Sequence, residues 1–344
     1  MANTYSVSAT DTRITVWDGW RGLAIALVLC GHFFDLSWIH EDRMGVDVFF
    51  GLSGMLMSIL LFEKKISLKD FYIRRFSRIF PALLFLVLCL FTLATLQSHD
   101  IAPMELPASL LFIRTYFPQS PHIWETQTST AHLWSLNIEE HAYVLMSLLA
   151  IIIAGLRSAA AVMAVVGVLS VAIACYYFST NPADQFELLS IRTESAISFI
   201  FFSAAYGLIK RRGNWKLRSP FIVALILLVP TCYIYSTPLT LRFTIAPLLL
   251  GIVVNHLQEI EGIAKTLLNS RVLRWFGTCS FSIYLWQQPF FEYAYSIPGG
   301  RPTGMVLSII AGSLSYYLLE QPVRKAINAR WSPRPVYRAA GAPT

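Results

Sequence analysis

Arg21 and His32 lie eleven residues apart in WRGLAIALVLCGHFFD, a stretch otherwise too apolar to carry ionisable groups without a reason. Eleven residues is three helical turns, so a helix here sets both side chains on one face, roughly 16 Å apart along its axis. A guanidinium and an imidazole on one buried face suit charge stabilisation and proton transfer. Two plainer readings stand beside that one. An arginine near a helix start can snorkel to an interface, and a buried histidine can simply bond a neighbouring helix.

Three further groups carry chemistry. In FYIRRFSRIFP, residues 71–81, Arg75 and Arg78 share a helical face, with Arg74 beside them. Repeated planar guanidinium groups suit bidentate phosphate binding, although a basic membrane anchor has the same pattern and fits Arg74 better. In HLWSLNIEEHAYVL, residues 132–145, Trp134 stands where an interfacial aromatic belt would put one. Glu139, Glu140 and His141 follow it at the entry to an apolar run, where a carboxylate can orient a hydroxyl or a catalytic group. In GVDVFFGLSGMLM, residues 45–57, Asp47 lies near one end and the Ser53–Gly54 pair suits close helix packing.

Long apolar helices must hold these groups. Hydrophobic residues make up 55% of the 344, charged residues only 14%, and mean hydropathy is +0.55. An ordinary soluble domain is roughly 25% charged. That excludes a soluble enzyme, a disordered chain and a disulfide-stapled secreted module. The five cysteines are odd in number, form no CxxC and lie within apolar runs, so they read as packing residues and no metal site is expected. Net charge is +7, which here reads as a topology signal rather than as a nucleic-acid surface.

A spanning helix needs about 20 mostly apolar residues. Ten stretches meet that pattern: 17–34, 45–62, 79–97, 137–156, 158–178, 195–209, 219–236, 240–256, 276–291 and 303–320. Their length and the lack of period-2 alternation exclude barrel strands. The fold expected is therefore all-α, a polytopic membrane helical bundle of about ten transmembrane helices. With the N-terminus inside, Arg43, Arg114, Arg192, Arg242 and Arg301 fall outside and Arg21 within a span, leaving 21 of the 27 basic residues on the inner side. Such asymmetry predicts cytoplasmic N- and C-termini. Residues 1–326 read as one transmembrane domain and 327–344 as a short basic cytoplasmic tail. The longest outer connection, about 98–136, shows no sign of a separate domain.

Taken in order, Arg21-x10-His32, GVDVFFGLSG, FYIRRFSRIFP and HLWSLNIEE resemble the motifs of the integral-membrane acyltransferase family 3. FGTCSFSIYLWQQPF at 276–290 and SYYLLEQPVRKA at 315–326 extend the resemblance across residues 15–326, nearly the whole chain. It implies transfer of an acetyl or short acyl group from cytoplasmic acetyl-CoA to a hydroxyl of an extracytoplasmic polysaccharide, lipopolysaccharide or lipid-linked glycan. The setting implied is the bacterial inner membrane. Position by position, Arg21 and His32 match the paired residues of the family's first helix, Arg75 and Arg78 its RxxR motif, Trp134 and Glu139 its WSLxxE segment, and Glu320 and Pro322 its closing E-x-P. One departure stands out: the family commonly reads YLWH near its ninth helix, whereas Tyr284-Leu285-Trp286 is followed here by Gln287.

On that resemblance His32 is expected to act as general base or, alternatively, as an acyl-carrying nucleophile, with Arg21 and Glu139 completing the catalytic group. Arg75 and Arg78 are expected to hold the phosphates of CoA. Trp134, Tyr284 and Gln287 are expected at the acceptor. From a different class, a transporter or flippase could also use Arg21, His32 and Glu139 as a buried path. A CoA site calls for the RxxR cluster at a membrane face; a transport path does not require it.

Overall fold

The computed structural model describes residues 15–331 apart from Asp35 and Ala154. Arg13, Arg334, Arg338 and the rest of the basic tail beyond 331 lie outside the described residues. Among the described residues every regular element is helical, with one isolated bridge between Ile39 and Ile234. The first helices are α1 (Thr15–Phe33), α2 (Glu41–Ser58, prolonged by a π-turn to Glu63), α3 (Leu68–Leu96), α4 (Trp134–Ile152) and α5 (Leu156–Thr180). They are followed by α6 (Ser198–Gly213), α7 (Ser219–Leu228), α8 (Leu239–His256), α9 (Arg271–Glu292) and α10 (Gly300–Ser315, prolonged by a π-turn and a final helix to Trp331).

These helices fall on the ten apolar stretches, but not all have the make-up of a membrane span. Six are long and apolar enough to cross a bilayer, and a seventh counts if Ala183–Ser190 and Thr193–Gly213, bent by 80°, form one span. The region of α7, Ser219–Tyr233, is apolar but short. The helices α1 and α9 do not meet the standard, and their composition explains it. The first carries Asp18, Arg21 and His32; the other carries Arg271, Arg274, Gln287, Gln288 and Glu292. The chain is thus a helical multi-pass membrane protein in which the two long helices that miss that standard pack against each other.

Small residues make that packing possible. A Cβ on Gly19 would lie 1.7 Å from the Leu268 carbonyl oxygen, one on Gly22 1.9 Å from that of Leu273, and one on Gly277 1.8 Å from that of Asp18. The backbones of α1 and α9 therefore approach to a distance only glycine allows. Gly45 brings α2 equally close to α1, where a Cβ would stand 2.5 Å from the Ala24 carbonyl. Gly54 lies against the Ile200 carbonyl of α6, in keeping with the close packing expected of the Ser53–Gly54 pair.

The connection between α3 and α4 folds back on the bundle. The guanidinium of Arg114 is buried, lies 3.5 Å from Glu105 and donates to the carbonyls of Pro118, Pro121 and His122. Burial pushes its pKa below the usual arginine range, which Glu105 opposes. Tyr116 donates to Glu194 at 2.5 Å, tying this connection to the bend before α6, and burial raises its phenol pKa.

The glycine contacts give a stability test. Gly22→Ala drives a methyl group into a backbone carbonyl, and overpacking of this kind costs about 1–3 kcal/mol. Its melting temperature in detergent is expected to fall clearly. Gly51→Ala, whose new Cβ would meet only ordinary contacts at 3.5 Å, should melt close to the unaltered protein.

Candidate active site

Two internal cavities hold the residues singled out by the sequence. A narrow one of about 90 Å³ is lined by Arg21, Ser53, Arg75, Arg78, Glu139 and Tyr143 among others. A wide one of about 800 Å³ is lined by His32, His40, Asp42, Arg43, His132, Trp134 and Arg242 among others. Val46 on α2 and Tyr284 on α9 line both, so these two side chains form a partition between the cavities. The Tyr284 hydroxyl is fixed by the His132 carbonyl at 2.7 Å and the Ser135 hydroxyl at 2.7 Å, both at the start of α4. The two residues of the α1 face are thereby divided: Arg21 serves the narrow cavity and His32 the wide one.

The narrow cavity lies at the end of the bundle where Lys64, Lys65 and Lys69 lead into α3. Arg75 is already engaged there, donating to Glu140 at 2.6 Å, stacking over Tyr143 at 3.4 Å and standing 4.0 Å from Glu139. Glu139 accepts hydrogen bonds from Ser53, at 2.5 Å, and from Tyr143. Arg21 pairs with Asp18 at 3.3 Å. Arg78 lines the cavity with no ion-pair partner among the described residues. The closing motif stands close by: buried Glu320 accepts from Ser282 at 2.7 Å and Arg324 at 3.3 Å, and feels the charge of Arg78.

His32 is placed with more constraint than its sequence suggests. Gly31 lets the end of α1 touch the first turn of α2, where a Cβ would meet the Asp42 backbone nitrogen at 2.5 Å. Phe291 stacks on the imidazole with ring centres 4.7 Å apart. Nδ1 of His32 is hydrogen-bonded to Oε1 of Gln287, so Nδ1 is the donor and, in the neutral imidazole, Nε2 is the nitrogen that offers a lone pair. From Gln287 the donors continue in one direction, to Gln288 at 3.4 Å and from Gln288 to Glu292 at 2.7 Å. Nε2 lies 3.9 Å from a carboxylate oxygen of Asp42. Gln287 is fully buried and lines neither cavity, so it reaches the wide one only through its neighbours His32 and Gln288.

Trp134 lies on the wide cavity with the Arg43 guanidinium 4.5 Å above its ring. Three residues outside the expected site join it. His132, 3% exposed, has both ring nitrogens without a hydrogen bond and packs edge-on to Tyr284. Glu140, rather than Glu139, is the closer partner of Arg75. Arg242 opens onto the wide cavity from α8. His132 begins the HLWSLNIEE segment, so its presence was legible there; the position of Arg242 was not. Among the described residues no group of three or more His, Cys, Asp or Glu side chains is arranged to hold a metal ion, and all five cysteines are free.

The fold and these cavities define a multi-pass membrane protein with ionisable residues gathered around two adjoining cavities. Residues 14–318 match the Acyltransferase domain of acyltransferase family 3, and the chain belongs to that family. It is 25% identical over 354 residues to the "Putative peptidoglycan O-acetyltransferase YrhL" of Bacillus subtilis, an alignment covering 89% of this chain and 54% of that protein. It is 26% identical over 357 residues to the "Peptidoglycan O-acetyltransferase OatA" of Listeria monocytogenes, covering 90% of this chain and 55% of that one. The chain thus spans about half the length of the curated relatives it matches. No solved structure matches it.

The bond between His32 and Gln287 separates positioning from substrate contact. Gln287→Leu is expected to lower kcat roughly 10- to 100-fold, the usual cost of losing an orienting partner, while leaving the acceptor KM nearly unchanged. Gln287→His, which can still accept from Nδ1, should retain most of the activity. Steady-state kinetics distinguishes this from direct acceptor contact, which would raise KM instead.

Proposed function

We propose that the chain is a membrane O-acetyltransferase that takes an acetyl or short acyl group from acyl-CoA at the basic face and delivers it to a glycan hydroxyl in the wide cavity. The acceptor class is an envelope glycan, with peptidoglycan favoured by the names of the relatives. The observation that carries this reading is the shared wall of Val46 and Tyr284, with Arg21, Arg75 and Arg78 on one side of it and His32 on the other. A narrow cavity of about 90 Å³ suits a thin arm ending in a thioester, not a nucleotide. A polar cavity of about 800 Å³ lies within the usual range for a bound small molecule and has room for a sugar.

On this reading all ten main helices cross the bacterial inner membrane and both termini are cytoplasmic, which sets the Lys64–Arg78 segment on the side where acyl-CoA is made. The basic asymmetry of the sequence supports that orientation. Arg78, without an ion-pair partner among the described residues, holds a phosphate of CoA, and Arg75 forms a fixed second cation braced by Glu140. Nε2 of His32 removes the proton from the acceptor hydroxyl as its oxygen attacks the thioester carbon. The tetrahedral oxyanion collapses, the C–S bond breaks and the thiolate of CoA leaves. Arg21 offsets negative charge on the donor side, and Tyr284 lies beside the point where the acyl group must pass. Family membership favours this reading over a transport path.

The test separates the two ends of the passage. Arg78→Ala should weaken acetyl-CoA binding roughly 10- to 100-fold, as loss of a charge-assisted hydrogen bond does, with Lys restoring part of it. Arg75→Ala should also lower the melting temperature, because it strands Glu140 without its partner. His32→Ala should bind acetyl-CoA nearly normally yet lose about 10²–10⁴ in transfer rate. Calorimetry reports the binding and acetylation of glycan fragments the rate. Normal transfer by His32→Ala would refute the assignment.

A further inference from the structure

The wide cavity contains a cation that the transfer scheme leaves without a task. Arg242 stands in the first turn of α8, is 7% exposed and lines the cavity wall. Other buried cations of the bundle are matched: Arg75 by Glu140, Lys210 by Glu259, and Arg43 by Asp47 and the Ser190 carbonyl. Arg242 has no hydrogen-bond or ion-pair partner among the described residues. Its guanidinium meets only the faces of Tyr233 and Phe243, at 5.8 and 5.7 Å. A buried charge without a partner is costly to keep.

Asp47, the fully buried carboxylate of this region, offsets the charge of Arg242 through space but makes no hydrogen bond to it. Its oxygens are taken by Nε of Arg43 at 3.1 and 3.3 Å and by the Tyr233 hydroxyl at 2.9 Å. The acids on the cavity wall are mostly engaged elsewhere. Glu41 accepts from the Leu36 backbone at 3.0 Å, Glu292 accepts from Ser129 and Gln288, and Asp42 faces His32. Glu187 is the remaining carboxylate there.

Two neighbours add to the preference for negative charge. The α8 helix starts at Leu239 with no side-chain cap, and both Thr237 and Leu239 line the cavity, so the positive end of the helix dipole lies on the same wall. His40 lines the cavity as well. Burial, and after it the charge of Arg242, push its pKa below the usual imidazole range, so at pH 7 it is a neutral hydrogen-bonding group.

We propose that Arg242, together with the uncapped start of α8, binds an oxyanion carried by the acceptor, a carboxylate or a phosphate ester, and so holds the acceptor in the cavity that contains His32. The planar fork of a guanidinium matches either anion with two parallel hydrogen bonds. The acceptor is then an acidic glycan rather than a neutral one. This inference rests on the transfer reading above and adds the charge of the substrate to it.

The test compares full-length protein, R242Q and R242K in detergent, with labelled acetyl-CoA and three forms of one glycan fragment: free carboxylate, its methyl ester, and a phosphate ester at the same place. In the unaltered protein the methyl ester should raise the acceptor KM roughly 10- to 100-fold over the free acid, with kcat little changed. R242Q should bind the acid as poorly as the ester, and R242K should recover part of the difference. Whichever of the carboxylate and phosphate forms loses more on R242Q identifies the anion. Equal KM values for acid and ester in the unaltered protein, a comparison that needs no variant to fold, would overturn the proposal. So would R242Q that still prefers the acid. Absence of transfer to every fragment would overturn the transfer reading itself, and this inference with it.

Discussion

The helices α1 and α9 lie backbone to backbone. Gly22 on one and Gly277 on the other leave out Cβ atoms that would strike the facing carbonyls, and Gly19 rests on the Leu268 carbonyl just ahead of α9. That approach fixes where Arg21 and His32 stand relative to Ser280, Tyr284 and Gln287, and hence where the partition between the cavities falls. In a bilayer, lipid tails are as apolar as the side chains, so such contacts depend on van der Waals packing and interhelical hydrogen bonds rather than on exclusion of water. The hydrogen bond from His32 to Gln287 is made across this seam. A wider spacing would lose both the packing and the bond that sets the imidazole tautomer.

Most of the charge within the bundle is compensated. Arg43 with Asp47, Arg75 with Glu140, and Lys210 and His256 with Glu259 are close pairs, each joining residues that one helix alone could not neutralise or joining turns within one. Removing one partner of a buried pair commonly costs about 3–5 kcal/mol, because the other charge is left in a medium that solvates it poorly. Against that pattern the uncompensated groups mark the working surfaces. Arg78 lies on the narrow cavity, and His132 and Arg242 lie on the wide one.

Much of the helix content was legible because a membrane span must be a long apolar run, and the ten runs in the sequence coincide with the ten main helices. The number of crossings is less direct. Hydropathy and length carry six or seven, since α1 and α9 dilute their apolar character with residues that face each other and the cavities, and α7 is short. Arg21, His32, Arg75, Arg78, Glu139, Trp134 and Tyr284 all line one cavity or the other, because ionisable or amphipathic groups in apolar runs have few other places to go. Arg21 and His32, whose shared face suggested one joint site, line separate cavities instead. The bond between His32 and Gln287 spans 255 residues, and that between Arg75 and Glu140 spans 65. No local periodicity encodes such pairings, so the role of Gln287 behind the histidine and the choice of Glu140 over Glu139 emerged only with the packed helices.

The proposed roles, with the donor in the narrow cavity and the acceptor in the wide one, require chemistry across the bilayer, and sealed proteoliposomes of uniform orientation test that most directly. Labelled acetyl-CoA is supplied only on the side bearing the Lys64–Arg78 segment, and glycan acceptor only on the opposite side. The account predicts label on the glycan across an intact bilayer, and none when the two substrates exchange sides. Transfer only when donor and acceptor share one side would contradict it.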